Sequence, residues 1–353
     1  MRVNDAIQEV NTMSRSFRSI RWIRRAGKLI VSLVLAISPA AQAQEPLPAF
    51  RHIQKAHDGS VLCVEFSRDE KTLVSSSRDS TIKIWDLASL ELNKTLRNHT
   101  RDVYSVAFNH AGNLMASGST DTRIILWDAT TFQPIRVLEG HTAAVREVEF
   151  SPDDKTLASV GEDSTFRLWD VQTGKLKVTR TEHTKKVKSV AWYPDGKTLV
   201  TASHDLTLRL WDASGEPKQV LTGHKDVLET VDISPDGKLL FSGTGTDWGQ
   251  VIFWDALSGK LLHDEPYAHG NDYGKEIDAV MFTPNGKYAV SGSKDRTIKF
   301  WDPKTYELRH VIPNNPGRIE SMTFSADSRT MAIGYGGTDY TIKLWDVSQW
   351  TQD

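Results

Sequence analysis

The dipeptide Trp-Asp recurs seven times, at Trp85, Trp127, Trp169, Trp211, Trp254, Trp301 and Trp345. Successive spacings are 42, 42, 42, 43, 47 and 44 residues. A period of this length means that one small unit is copied along the chain, and that each copy must stack on its neighbours to bury its apolar face. The repeat accounts for seven of the eleven tryptophans.

Each unit reads as four strands. In the third, Ala144–Phe150 alternates apolar and polar residues, as a half-buried strand does. Ser151-Pro-Asp-Asp-Lys155 is a turn, with Pro fixing φ and Asp bonding the local backbone. Thr156–Val160 is the second strand, Gly161–Asp163 turns again, Thr165–Trp169 is the third strand, and Lys175–Arg180 follows the turn at Thr173-Gly174 as the fourth. No stretch after residue 44 has a helical period.

Four residue types recur at fixed places. A histidine precedes each of six units: His57, His99, His141, His183, His224 and His269. The turn aspartates are Asp79, Asp121, Asp163, Asp205, Asp247, Asp295 and Asp339. A hydroxyl lies four residues before them at Ser75, Ser117, Ser159, Thr201 and Ser291. Histidine both donates and accepts, aspartate accepts, serine does both, and tryptophan donates.

Gly140-His141, Gly223-His224 and the run Asp163-x-Thr-x-x-x-Trp-Asp resemble the WD-repeat β-propeller family over residues 47–353, here read as a bacterial-type exported member. The resemblance implies an all-β fold, a seven-bladed propeller of four-stranded antiparallel blades around a channel. It also implies a hydrogen-bonded chain across each blade. In the regular units this structural network is His57, Ser75, Asp79 and Trp85; His99, Ser117, Asp121 and Trp127; His141, Ser159, Asp163 and Trp169; and His183, Thr201, Asp205 and Trp211. A Ser, a His and an Asp in every repeat point to structure rather than hydrolysis, since a nucleophile is needed once. We assign no catalytic residue, metal ligand or cofactor.

Blade cores fall at 57–96, 99–138, 141–180, 183–221, 224–263, 269–312 and 315–346. The seventh unit lacks a fourth strand, and residues 48–55 form a strand with no unit before it. The N-terminal strand is therefore expected to complete the last blade beside Thr341–Trp345, which closes the ring and removes a sheet edge.

Residues 1–43 differ from the rest. A basic stretch (Arg15 to Lys28) precedes the apolar run Leu29–Ile37 and the small residues Ala41-Gln-Ala43, which reads as a secretory signal peptide. The run is shorter than the roughly 20 residues that span a bilayer. The sequence reading is thus an exported, periplasmic or extracellular protein with no stable membrane insertion once the signal is removed. Setting aside the seven basic and two acidic residues of this segment leaves 36 basic and 43 acidic ones, a net charge of −7. That balance opposes a grip on phosphate backbones, so no nucleic acid is expected. The single Cys63 excludes an intrachain disulfide and reads as a buried structural thiol.

Function is expected where the repeats disagree. The His-to-Trp distance is 28 in the first four units, then 30, 32 and, counted from Asn315, 30. The insertions lie on the face carrying the loops before strand one and after strand two, the top face. They bring glycines together with Trp248, Tyr267, Tyr273, Tyr335 and Tyr340. In the seventh unit Asn315 replaces His and Ile333 falls at the hydroxyl position, so its network is expected to be incomplete and that blade the most mobile. By resemblance, residues following each His ring the channel mouth: Leu62, Tyr104, Arg146, Lys188, Leu228, Asp278 and Glu320. Their order implies a mouth that is basic toward Arg146 and Lys188 and fits a partner with an acidic end. The candidate partner-binding residues are Tyr104, Arg146, Lys188, Trp248, Tyr273, Asp278, Glu320 and Tyr340. The reading is a monomeric, non-enzymatic interaction scaffold that binds a protein or peptide on the top face. The alternatives are a propeller hydrolase or lactonase with a channel metal, for which Asp278 and Glu320 are the obvious carboxylates, and a small-ligand or glycan-binding propeller.

Overall fold

A computed structural model describes residues 47–246, 248–270, 274–337 and 339–352. Residues 1–43, expected to form a signal peptide, the turn residue Asp247 and Tyr273 lie outside the described residues. Among the described residues twenty-eight strands form seven separate four-stranded antiparallel sheets. Six are simple meanders. The seventh has the order Phe50–Ile53, Ile342–Asp346, Thr330–Gly336, Arg318–Phe324. The first strand of every sheet touches that of the next, and the first and last sheets meet, so the blades close into a ring.

The sequence dictates this radial arrangement. Inner strands such as Val61–Phe66 turn apolar side chains to the blade core, while Cys63 and Glu65 line the channel. Outer strands such as Leu176–Arg180 are mostly exposed. Between blades the repeat tryptophans fill the core; Trp127, Trp169, Trp211 and Trp254 are fully buried. Small residues permit the close approach this needs. A Cβ at Gly118 would lie 2.7 Å from Val145 Cγ1 of the next blade.

The N-terminal strand closes the ring as expected. Phe50 pairs with Trp345, Arg51 with Leu344, His52 with Lys343 and Ile53 with Ile342. A second tie was not legible: Ser348–Thr351 forms a single helical turn, too short to show a period. Its Trp350 stacks on His310 at 4.5 Å and 8°, and Asn285 Nδ2 donates to the Thr351 carbonyl at 2.8 Å. The C-terminal turn thereby fastens blade seven to blade six.

Three turns bond the preceding blade on the bottom face. Its strand-one-to-two turns put one residue at positive φ. Gly112, Gly196, Gly237 and Gly286 take that place in four blades, and Glu70 (φ 53°), Asp154 (φ 61°) and Ser328 (φ 62°) in the other three. Each of those three side chains bonds the preceding blade. Ala326 N donates to Glu70 Oε1 at 2.5 Å, His110 N and Ala111 N both donate to Asp154 at 2.8 Å, and Asn285 N donates to Ser328 Oγ at 3.1 Å. The strained backbone is kept where a side chain converts it into a latch.

Candidate functional site

The blade network forms as the residue chemistry requires. In blade two, Trp127 Nε1 donates to Ser117 Oγ at 2.9 Å, Ser117 Oγ lies 2.8 Å from His99 Nε2, and His99 Nδ1 lies 2.9 Å from Asp121 Oδ2. The indole can only donate and the carboxylate only accept, so the serine proton goes to Nε2 and the imidazole proton sits on Nδ1. The same chain runs through His57, Ser75, Asp79 and Trp85, through His141, Ser159, Asp163 and Trp169, and through His183, Thr201, Asp205 and Trp211. Burial lowers the His57 and His141 pKa values, which keeps these rings neutral. The histidine bonds hold the Asp79, Asp121, Asp163 and Asp205 carboxyls far below the usual range, against the opposing effect of burial. These groups are consumed by structure.

Two blades reach the same end with other residues. In blade five, His224 Nδ1 donates to Gln250 Oε1 at 3.1 Å, and Gln250 Nε2 donates to Asp264 Oδ1 at 2.6 Å. Burial, only partly offset by the amide, lowers the His224 pKa to about 4. In blade seven the expected incomplete network is replaced by a complete one. Trp345 Nε1 donates to Tyr335 OH at 3.4 Å, Tyr335 OH donates to Asn315 Oδ1 at 2.7 Å, and Asn315 Nδ2 donates to the Ile312 and Arg296 carbonyls at 3.1 and 3.0 Å. Ile333 does occupy the serine register, opposite Lys343. The phenol enters from two residues farther along the strand, and its length makes up the gap. Tyr335 is fully buried, so it is not a loop aromatic available to a ligand.

The mouth of the channel is built by seven β-bulges. Register shifts at Val61/Cys63, Val103/Ser105, Val145/Glu147, Val187/Ser189, Leu228/Thr230, Ile277/Ala279 and Ile319/Ser321 each leave one residue unpaired. A bulge re-aims its extra side chain. The side chains so placed line a central cavity of about 520 Å³: Leu62, Tyr104, Arg146, Lys188, Glu229, Asp278 and Glu320. Leu228 is therefore not a mouth residue. It pairs with Thr244 and is fully buried; the unpaired residue is Glu229, five past His224, the interval that also places Leu62, Tyr104, Arg146 and Lys188.

This substitution overturns the expected basic sector. Arg146 lies over the Tyr104 ring at 3.6 Å and pairs with Glu162 at 3.6 Å. Lys186 pairs with the same Glu162 at 2.8 Å. Lys188 Nζ is 2.5 Å from Glu229 Oε2, with side chains 10% and 6% exposed, and His204 Nε2 is 2.7 Å from Glu229 Oε1. Burial works against ionising Glu229, but His204 and Lys188 outweigh it and hold the carboxyl at about 2. The cations of blades three and four are thus already neutralised from within the chain.

The opposite side is under-compensated. Lys294 pairs with Glu276 at 2.5 Å and lies 3.6 Å from Asp278 Oδ2. That Oδ2 is buried and accepts no hydrogen bond. Burial holds the Asp278 carboxyl well above the usual range. Glu320, Glu276 and Glu229 reinforce this and Lys294 opposes it. Oxygens of Glu229, Glu276 and Asp278 lie within 4.8 Å of one another, so the structure adds two carboxylates to the Asp278–Glu320 pair read from sequence.

Deeper in the channel, burial raises Glu65 and Glu147 to about 7, Asp232 to about 6, and Glu149 well above its usual value. Glu147, Glu149 and Asp232 each accept a backbone N–H from the next blade, at 2.7, 3.0 and 2.7 Å. Cys63 lines the same cavity and is partly exposed to it rather than sealed in the core. Burial pushes its thiol up to about 12, so it is no nucleophile.

On the rim of blades five and six, Trp248 stacks on Tyr267 at 5.2 Å and 17°, with Lys225 over Trp248 at 5.3 Å and Lys275 over Tyr267 at 5.6 Å. Tyr267 is 58% exposed. Tyr340 is half-buried at φ 48°.

Comparison with known proteins agrees with this geometry. Residues 60–221 match the family described as IFT122 first beta-propeller, and residues 215–255, 265–302 and 306–346 match the WD domain, G-beta repeat. The chain is a WD-repeat propeller. Two relatives from Oryza sativa subsp. japonica are the small ribosomal subunit proteins RACK1y and RACK1z. They are 33% identical over 138 and 135 residues respectively, 36% of this chain in each case. The matched stretch spans 37% of either relative.

Proposed function

We propose that this WD-repeat propeller is a non-enzymatic scaffold that binds a protein or peptide on its top face, at the channel mouth. The observation that carries the proposal is the contrast between the two faces. Three bottom turns bond the preceding blade, whereas the top mouth presents seven bulged side chains of six types on one frame. The blade histidines, hydroxyls and aspartates are spent on the indoles, which leaves no activated nucleophile among them. Capture of partners by cross-linking in the native compartment, with the intact chain and with a Tyr104→Ala/Asp278→Asn double variant, tests the proposal. Partner bands that fade in the variant support it, and unchanged bands move the site elsewhere.

The Glu229, Glu276 and Asp278 oxygens favour a second reading, a channel metal serving hydrolysis. The Lys188 and Lys294 ammonium groups already lie against this group, so a cation would have to displace them. Elemental analysis of purified protein separates the readings, because a stoichiometric divalent metal would favour the enzyme. Export is proposed on residues 1–43 alone. A mature N-terminus at residue 44 supports it, and an intact N-terminus in the cytoplasmic fraction contradicts it.

A further inference from the structure

Charge at the mouth is unevenly settled, and this narrows the chemistry of what can bind there. Around blades three to five four basic groups have acidic partners: Arg146 and Lys186 pair with Glu162, and Lys188 and His204 with Glu229. Around blades six and seven three carboxylates, Glu276, Asp278 and Glu320, share one ammonium, that of Lys294. Lys294 bonds Glu276 and stands too far from Asp278 for a hydrogen bond. Asp278 Oδ2 is left buried with nothing to accept. Glu320 has no hydrogen-bond or ion-pair partner among the described residues. It sits over Gly336, where any Cβ would collide with its carboxylate, so the backbone there is shaped around this side chain. A buried acceptor left unpaired is costly, so a group able to donate to it is favoured at this position.

We propose that the mouth between blades six and seven receives a basic side chain, lysine or arginine, from an extended segment of a protein partner. This rests on the top-face scaffold reading and deepens it. The occupant is cationic, because only a donor carrying positive charge both satisfies Asp278 Oδ2 and offsets the excess carboxylates. The cavity of about 520 Å³ admits such a side chain from above. An acidic partner segment, which the residue order alone suggested, would meet Arg146 and Lys188 already paired and Glu320 unopposed.

The test is panning of the immobilised full chain against a random heptapeptide library. Enrichment of peptides with at least one Lys or Arg is expected. The best synthetic peptide should bind the Asp278→Asn/Glu320→Gln variant about tenfold more weakly, and the intact protein about tenfold more weakly at 0.5 M than at 0.05 M salt. Enrichment of acidic or uncharged peptides, or basic peptides that bind the variant as well as the intact protein, overturns the cationic assignment while leaving the scaffold reading in place. No enrichment of any sequence counts against both. Thermal melting of the variant within a few degrees of the parent shows that lost binding is not lost folding.

Discussion

Blade two and blade seven hold their tryptophans by the same logic with different residues. In blade two a serine beside the indole donates a hydrogen bond to a histidine, which donates one to an aspartate. In blade seven a tyrosine from two residues farther along the strand does the serine's work, an asparagine takes the histidine's place, and backbone carbonyls end the chain. The polarity of donation is unchanged: indole to hydroxyl to an accepting side chain. What the fold demands is a satisfied indole and a filled space, and the familiar residues are one way of meeting that demand. Blade seven also depends on distant chain, since its outer strand is Phe50–Ile53 and its base is fastened by Trp350.

This difference can be broken experimentally, and the largest effect should come from the closing strand. Deletion of residues 44–56 exposes the edge of Ile342–Asp346 and uncovers Trp345, on which Phe50 packs at 4.8 Å. Loss of soluble, cooperatively melting protein is expected by size exclusion and calorimetry, and a truncated chain that melts like the parent would remove the closure from the account. Next in size is Tyr335→Ser, which restores the usual residue type to blade seven. Because a serine there cannot reach Asn315 and leaves a cavity, it should destabilise by about 3–5 kcal/mol in denaturant titration. By contrast Ser117→Thr in blade two should cost under about 1.5 kcal/mol, since Thr201 fills the same role in blade four. A neutral Tyr335→Ser would show that the phenol is dispensable.

The smallest effect is a pH dependence. Glu147 holds its proton more tightly folded than unfolded, so its contribution to stability falls as pH rises from 4.5 to about 7. The blade histidines, with lowered pKa values, act in the opposite sense, since their contribution is lost as pH falls below 6.5. Glu147→Gln keeps an acceptor for Val190 N and removes the acidic group. It should stabilise the protein more at pH 8 than at pH 4.5, read as the difference in melting temperature from the parent. A difference that is flat with pH would mean that Glu147 is ionised and solvated in the folded channel.

The regular network was legible because residue type and spacing are both repeated; Ser117, His99 and Asp121 keep one interval from Trp127 in four successive units. The closing strand was legible from an unpaired strand at one end and a missing one at the other. Tyr335 and Gln250 were not, because each acts from a position that the repeat gives to something else, reaching its partner by side-chain length. The charge state of the mouth was hidden for another reason. Glu162, Glu229 and Glu276 meet their cations across turns or across blades, and no spacing within one repeat encodes those meetings. The mouth residue of blade five is Glu229, five past His224 as Tyr104 is five past His99, and its carboxylate pairs the Lys188 that the order of residues alone makes basic.

The central claim is that partners are held at the top mouth. The most direct test places a photo-cross-linking amino acid at position 320 on the top mouth, and in a second protein at 257, an exposed bottom-face loop position with 80% exposure. Irradiation in the native compartment should give discrete partner adducts from position 320 and none from 257. Adducts from 257 alone, or from neither position, would contradict the account.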